Sequence, residues 1–172
     1  MAQDASASPN PAPKGQLLVE AIANGTVIDH IAPGQALNIL RMFPFLGKDR
    51  QHPVTVGFNL RSGQLGAKDI IKISEVVFSP AQTAQLAILS PNATVNQIEN
   101  FKVVDKYRLR LPQELLGHFR CPNGNCITHV EQGAQPRFKV SESPDGRVQM
   151  KCHYCERVFE REVLLNYNGL NS

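Results

Sequence analysis

The stretch Cys121-Pro-Asn-Gly-Asn-Cys126, separated by 25 residues from Cys152-His-Tyr-Cys155, decides how the last third of this 172-residue chain folds. Two close cysteine pairs that lie far apart in sequence are typical of a structural zinc site with thiolate ligands. The proline, asparagine and glycine residues inside the first pair favour a tight turn, which aims both thiolates at one ion. The sequence therefore predicts one structural Zn²⁺ ion per chain, bound by Cys121, Cys126, Cys152 and Cys155.

Four thiolate ligands leave no coordination position for a catalytic water, so the predicted metal has a structural role. Two disulfides, or a redox-active pair at Cys152 and Cys155, are the alternatives that the spacing leaves open. A disulfide framework is unusual in a cytoplasmic protein, and the N-terminus lacks the basic and then apolar pattern of a secretory signal. We therefore expect a metal site in a cytoplasmic protein.

The sequence between the two cysteine pairs predicts a β-hairpin. Pro144-Asp145-Gly146 is a turn signal between strands predicted at residues 138–141 and 147–151, and the second strand returns the chain to Cys152. Residues 121–172 are too few to form a stable domain on an apolar core alone. We expect the metal to contribute on the order of 10 kcal/mol to the folding of this small all-β unit.

Residues 16–107 have the pattern of an α+β domain. Apolar residues alternate with small or polar ones from Val54 to Leu60, which predicts a half-buried strand. Ser79-Pro-Ala-Gln82 is a capping box, and the helix that it begins is predicted to end near Leu89, before Pro91. The other predicted strands are residues 17–22, 26–31, 69–77, 93–98 and 101–104, and a first helix is predicted from Pro33 to Phe43. Strands interleaved with only two helices predict a largely antiparallel sheet with both helices on one face.

The remaining segments are a tail and a connector. Residues 1–15 are rich in proline, alanine and serine, which predicts a disordered tail, because such a segment buries too little apolar surface to offset its ordering entropy. Residues 108–120 contain Pro112 and Gly117 and are predicted to connect the two domains.

Composition argues against several functions. The chain is 42% hydrophobic, and its 18 basic residues against 15 acidic ones give a net charge of only +3. No apolar run approaches the roughly 18 residues of a membrane-spanning helix. Asp29 and His30 are a candidate acid–base pair, but adjacent residues on a regular strand face opposite sides. We find no phosphate-binding loop and no catalytic triad signature.

These observations favour an interaction or regulatory protein over an enzyme. The competing hypotheses are a zinc-ribbon protein that binds nucleic acid and a zinc-dependent hydrolase. The first is weakened because basic residues alternate with acidic ones across residues 136–161. The hydrolase hypothesis is weakened because four thiolates occupy every coordination position of a tetrahedral zinc ion.

Several stretches resemble the regulatory chain of aspartate carbamoyltransferase, the allosteric enzyme of pyrimidine synthesis. They are Val19-Glu-Ala-Ile22, Gly25-Thr-Val-Ile-Asp-His-Ile31, Ser62-Gly63, Lys68-Asp69, Ile71-Lys-Ile73, Ala93-Thr-Val-Asn96 and the two cysteine motifs. The match runs in one order over about residues 17–165. The resemblance implies a non-catalytic subunit with a ferredoxin-like allosteric domain, which binds CTP and UTP as inhibitors and ATP as activator. It also implies a regulatory-chain homodimer and a zinc domain that contacts the catalytic chain.

The resemblance implies specific site residues. The nucleotide-binding positions that it implies are Val19, Glu20, Ala21, Ile22, Asp29, His30, Ile70, Lys72, Asn96, Ile98, Phe101, Val103 and Lys106. The implied contacts to the catalytic chain are Asn123, Asn125 and Glu156. Three pairs among the nucleotide positions are two residues apart and are predicted to share a strand face. With Lys72, Lys106 and His30 as anion partners, such a face can bind both a base and phosphates.

This chain departs from the family pattern at a few positions. Phe101 stands where the family often has tyrosine, so one hydroxyl is missing from the implied site. Gln16 aligns with a lysine of some members, and His153 stands where lysine is common.

Overall fold

The computed structural model describes residues 20–43, 52–63, 65–117 and 119–169. The predicted tail and the implied nucleotide contact Val19 lie outside these residues. No helix in the described part of the chain is long and apolar enough to cross a membrane.

The first domain contains a five-stranded antiparallel sheet with strand order β2-β3-β1-β4-β5. Its elements in chain order are β1 (Gly25–Ile31), α1 (Gln35–Met42), β2 (Val54–Ser62), β3 (Gly66–Ser74), α2 (Pro80–Leu89), β4 (Thr94–Glu99) and β5 (Lys102–Arg108). The first four strands and two helices follow the βαββαβ order of a ferredoxin-like fold, and β5 extends the sheet beside β4. The predicted α+β class is confirmed.

Both helices cover one face of this sheet. Fully buried aliphatic residues from β1, β3 and both helices form the layer between them, namely Ile28, Ile31, Ile39, Ile71, Ile73, Leu86 and Ile88. The capping box at the start of α2 is present: Gln82 N donates to Ser79 Oγ at 3.3 Å, and Ser79 N donates to Gln82 Oε1 at 2.8 Å. The cap satisfies backbone amides that the first helical turn leaves unpaired.

A β-bulge in β1 overturns one prediction. The β1–β3 register shifts between Ile28 and Ile31, and His30 has a left-handed backbone with a φ of 58°. The extra residue breaks the alternation of faces, so Ile28 and Ile31 both reach the core. The prediction that Asp29 and His30 face opposite sides is wrong, because His30 Nδ1 lies 3.5 Å from Asp29 Oδ2.

A second bulge, in β2, is held by a buried carboxylate. The β2–β3 register shifts between Gly57 and Leu60. The Asp69 carboxylate accepts hydrogen bonds from the backbone amides of Asn59 at 2.9 Å and Gly34 at 2.7 Å. One side chain therefore joins this bulge to the start of α1.

The second domain contains a four-stranded antiparallel sheet with strand order β6-β7-β8-β9. Its elements are β6 (Glu114–Leu116), a 3₁₀ turn (Ile127–His129), β7 (Arg137–Glu142), β8 (Val148–Cys152), β9 (Val158–Glu160) and α3 (Arg161–Tyr167). The predicted hairpin is β7–β8, and Gly146 takes the left-handed backbone of its turn, with a φ of 79°. Helix α3 was not predicted, and β6 lies within the predicted connector.

Three predicted strand boundaries differ from the structure. Residues 20–22 have no strand structure, and the rest of the strand predicted at residues 17–22 is outside the described residues. The third strand is Gly66–Ser74 instead of residues 69–77. Phe101 lies in the turn between β4 and β5 with a φ of 62°, because its amide donates to the Ala23 carbonyl oxygen at 2.9 Å.

Candidate functional site

The four cysteines converge on one point. They are all free, and their sulfur atoms lie within 4.8 Å of one another. The sulfur atoms of Cys121 and Cys155 are 3.7 Å apart, and those of Cys126 and Cys152 are 3.8 Å apart. Tetrahedral zinc with Zn–S bonds of about 2.3 Å requires an S–S distance of about 3.8 Å. The thiolate set therefore fits a zinc ion, with no ligand position left for water.

Tight turns aim the thiolates. Cys126 N donates to the Asn123 carbonyl oxygen at 2.9 Å, which closes the turn between the first two ligands. The third ligand, Cys152, ends β8. Glu156 N donates to the Cys152 carbonyl oxygen at 3.0 Å, and Glu156 has a left-handed φ of 56°, which folds the chain back to bring in Cys155.

The environments of the thiols differ. Burial raises the pKa of the Cys121 thiol far above its ordinary value. Burial also opposes ionisation of Cys155, but hydrogen bonds from the backbone of Arg157 and the side chain of Asn123 outweigh it and lower the pKa of this thiol to about 7. A bound divalent cation stabilises all four thiolates, so metal binding releases protons and is coupled to folding.

Residues outside the cysteine motifs secure the metal loops. His129 Nε2 lies 2.9 Å from the Cys121 carbonyl oxygen, and its ring packs edge-on against Tyr167 of α3. Asn168 accepts a hydrogen bond from Arg120 N at 2.8 Å and donates to the Arg120 carbonyl oxygen at 3.1 Å. Tyr167 and Asn168 were not predicted from the sequence, because no local pattern connects them with Cys121 and Arg120, which lie far away in the chain.

The residues predicted to contact a catalytic chain lie on the metal loops. Asn125 and Glu156 are exposed. Asn123 is only partly exposed: its side chain bonds to the Cys155 thiol and accepts from Asn125 N at 3.3 Å. Asn123 therefore supports the metal site in addition to any contact with a partner.

Most of the predicted nucleotide contacts line one cavity of about 280 Å³ on the open face of the first sheet. Its lining consists of Ala21, Ile22, Val27, Ile70, Lys72, Asn96, Ile98, Phe101 and Val103. All except Val27 were predicted. The lining combines aliphatic and aromatic side chains with one amide and one cation.

Strand register explains this cavity. Directly paired residues form one row across the sheet, in the order Thr55, Lys72, Val27, Asn96 and Lys106. Paired residues point to the same face, so Val27 lies between Lys72 and Asn96. Val27 lies two residues before Asp29, and that spacing is the sequence signal that would have identified it.

Lys72 is the cation at the floor of the cavity. It is only 9% exposed, and its Nζ donates to the Glu20 carbonyl oxygen at 2.7 Å. Burial lowers the pKa of Lys72, and the charges of Asp29 and Glu20 oppose that shift in part. Lys72 is therefore a largely buried cation in the cavity lining, and its ammonium group is of the kind that forms charge-assisted hydrogen bonds with anions.

The other described residues among the predicted nucleotide contacts are not part of this lining. Glu20 is exposed and contributes its carbonyl oxygen to Lys72. Lys106 shares the row of Asn96. Asp29 and His30 are outside the lining, and Asp29 Oδ1 lies 2.7 Å from Lys68 Nζ. Lys68 was not among the predicted site residues.

A cluster of four thiols in one domain and a cavity on the open sheet face of the other define a two-domain protein with a metal-binding site and a separate ligand-sized cavity. A family model for the allosteric domain of the aspartate carbamoyltransferase regulatory chain matches residues 17–110, and one for its metal binding domain matches residues 113–165. The chain belongs to the family of aspartate carbamoyltransferase regulatory chains, whose members are non-catalytic subunits.

Individual relatives agree with this assignment. The chain is 51% identical to the aspartate carbamoyltransferase regulatory chain of Tolumonas auensis, over 88% of this chain and 96% of the relative. It is 48% identical to that of Aeromonas hydrophila, over 88% and 96%, and 48% identical to that of Aliivibrio fischeri strain MJ11, over 90% and 98%. The predicted family, the regulatory role and the structural zinc site are confirmed.

Proposed function

We propose that the first domain binds nucleoside triphosphates in the sheet-face cavity and that the second domain transmits their effect to an aspartate carbamoyltransferase catalytic chain. The observation that carries this proposal is the convergence of Lys72, Asn96 and an apolar surface in one cavity. CTP and UTP as inhibitors and ATP as activator are the proposed effectors.

The cavity suits part of a nucleotide. Ligand pockets commonly measure about 300–1,000 Å³, so a cavity of about 280 Å³ fits a base and ribose more readily than a whole triphosphate. Ile98 and Val103 would pack against the base, and the Asn96 amide would bond to a polar edge. Lys72 and Lys106 would bind phosphate oxygens by charge-assisted hydrogen bonds.

The metal loops support the proposed contact with a catalytic chain. Asn125 is exposed on the first metal loop, and so are the apolar residues Ile127 and Val130 that follow it, while Glu156 is exposed on the second metal loop. Loops held by a metal lose little conformational entropy when a partner binds them. An exposed apolar pair beside polar side chains is therefore a suitable protein contact surface.

The sheet edges support the proposed regulatory-chain homodimer. β2 and β5 are the two edges of the first sheet, and each has unpaired backbone groups along one side. Phe58 on β2 and Val104 on β5 are about half exposed. Pairing of one such edge with a second copy would satisfy backbone groups and cover apolar surface. The four free thiols support the proposed cytoplasmic location, where cysteines stay reduced.

Calorimetry with CTP and ATP on the zinc-loaded chain tests the nucleotide site. We expect Lys72→Gln and Lys106→Gln each to weaken binding by roughly 10- to 100-fold, because each removes a charged hydrogen bond of about 1.5–3 kcal/mol. Lys102→Gln is the matched control, since Lys102 is exposed on the strand of Lys106 but lies outside the row that joins Lys72, Asn96 and Lys106. Unchanged affinity in both the Lys72 and the Lys106 variant would place the nucleotide elsewhere.

A further inference from the structure

A larger cavity of about 800 Å³ lies between the two domains, and we call it the interdomain cleft. The end of β5 and residues 109–113 form one wall, and the β7–β8 hairpin and the start of α3 form the other. We propose that the interdomain cleft binds a small anion of the phosphate class that contacts both domains at once. This site is separate from the sheet-face cavity.

Arginines line both walls of the cleft, namely Arg108, Arg110, Arg147 and Arg161. The carboxylates of Asp145, Glu160 and Glu162 pair with Arg147 and Arg161, so the excess positive charge lies on the wall of the first domain. A guanidinium presents a planar fork of N–H donors that matches phosphate oxygens in bidentate geometry. The first wall therefore attracts an anion, and both walls offer suitable donors.

The two arginines on the wall of the first domain lack acidic partners. Arg108 Nη2 donates to the neutral Asn92 side chain at 3.0 Å. Arg110 is exposed and has no hydrogen bond or ion pair among the residues that the structure describes. Within the described chain, the positive charge of this wall is therefore not neutralised by a carboxylate.

The two arginines on the wall of the second domain are held in place but keep free donors. Arg147 Nε donates to Asp145 at 2.6 Å and its Nη1 pairs with Glu160, so these bonds do not use Nη2. Arg161 donates to Glu162 through Nε at 2.9 Å and Nη2 at 2.6 Å, so these bonds leave Nη1. A guanidinium carries five N–H donors, and one that is already ordered loses less entropy when it binds a ligand.

The floor of the cleft is apolar. Leu109, Val140 and Val148 line it and are buried. A cationic rim over an apolar floor suits a phosphorylated compound with a compact organic part. The cavity volume lies within the roughly 300–1,000 Å³ common for ligand sites, which often occur at domain interfaces.

An anion bound to both walls would favour the relative domain position in which both sets of arginines reach it. A ligand shifts such an equilibrium by its difference in affinity for the two arrangements. The regulatory consequence rests on the proposed function, since it requires the second domain to act on a catalytic chain. Anion binding itself does not depend on the proposed function.

Pyrophosphate is the probe, measured by calorimetry at low ionic strength on the zinc-loaded full chain. A Lys72→Gln, Lys106→Gln background removes the cations of the sheet-face row, so that the heat reports the cleft. We expect Arg110→Gln and Arg147→Gln each to weaken pyrophosphate binding about tenfold or more, because each variant loses one charged hydrogen bond. Arg108→Gln is a second variant on the first wall. Zinc content and circular dichroism verify that each variant folds.

Arg120→Gln is the matched control, because Arg120 is exposed and lies outside the cleft. We expect it to bind pyrophosphate like its parent. The proposal is overturned if the parent binds no pyrophosphate, or if Arg120→Gln weakens binding as much as the cleft variants. It is also overturned if only the variants of one domain lose affinity. Nucleotide calorimetry on the single Lys72→Gln variant tests the proposed function separately.

Discussion

In the first domain, two helices cover a five-stranded sheet with buried aliphatic side chains, whereas in the second domain a four-stranded sheet of shorter strands is joined to four cysteines. Three of those cysteines are buried, and so are Phe119, Phe138, Met150 and Leu164. One chain therefore uses two sources of stability. Apolar burial stabilises the domain with the sheet-face cavity, and metal coordination stabilises the domain with the proposed partner surface.

Metal removal is expected to have the largest effect and tests this comparison most directly. Binding of structural zinc contributes on the order of 10 kcal/mol, so a chelator or Cys152→Ser should unfold the second domain. The sheet of the first domain should stay folded. Hydrogen exchange resolved by residue would separate the two domains, and added zinc should restore the chelated wild type. Protection lost equally in both domains would show that they fold as one unit.

A core substitution in the first domain should destabilise that domain and leave the metal-binding domain folded. Leu86 is fully buried between α2 and the sheet, so Leu86→Ala should destabilise the first domain by about 2–5 kcal/mol through lost burial and a cavity. Zinc content should not change. Thermal unfolding and hydrogen exchange would measure the stability of the first domain, and elemental analysis would measure the zinc content.

Leu37→Ala is the control for that experiment, since Leu37 on α1 is 49% exposed. Surface substitutions usually change stability by no more than about 0.5 kcal/mol. If Leu86→Ala releases zinc as readily as Cys152→Ser does, the proposed division between apolar and metal stabilisation fails.

Coupling between the domains would sharpen the comparison, because the two domains must act together for regulation. In a complex with the catalytic chain, the coupling free energy is expected to be about 1–3 kcal/mol, or roughly 5- to 150-fold in affinity. By reciprocity, a bisubstrate analogue at the catalytic site should change CTP affinity by the same factor that CTP changes affinity for the analogue. CTP titrations with and without the analogue would measure it. If CTP affinity is the same with and without the analogue, the allosteric role is refuted. That result would not contradict the fold or the zinc site.

The smallest expected effect concerns the link between α3 and the metal loops. Asn168→Ala removes two hydrogen bonds to the Arg120 backbone, next to Cys121, and should destabilise the second domain by about 1 kcal/mol. Zinc should transfer to a chelator faster from the Asn168→Ala variant than from the wild type. Asn166→Ala is the matched control, because Asn166 is exposed on the same helix. Equal transfer rates in the two variants would show that the Asn168 clamp does not stabilise the metal site.

Local signals in the sequence predicted much of the structure. The cysteine spacing predicted that the four thiols converge, the Ser79 capping box predicted α2, and Pro144-Asp145-Gly146 predicted the β7–β8 turn. Each signal depends on residues that lie close in the chain, where steric and hydrogen-bonding preferences act without long-range contacts. The two-residue spacing also placed Ile70 with Lys72, and Asn96 with Ile98, on the face that forms the cavity.

Predictions based on regular alternation were wrong where a strand bulges. The extra residue at His30 in β1 placed Asp29 and His30 side by side. The strand predicted at residues 101–104 likewise begins only at Lys102, because Phe101 lies in a turn. A bulge or a turn of this kind depends on hydrogen bonds to distant residues, such as the bond from Phe101 N to Ala23, so a local pattern does not reveal it.

The clustering of the four cysteines, the α+β class of the first domain and the family follow from patterns visible in the sequence. The folded structure was needed to show that Val27 joins Lys72 and Asn96 in one row, that Asn168 clamps Arg120, and that arginines from both domains line one cleft. Strand register and domain packing result from the sum of many weak contacts between residues distant in the chain. A short motif carries its own geometry, whereas these arrangements exist only once the whole chain has folded.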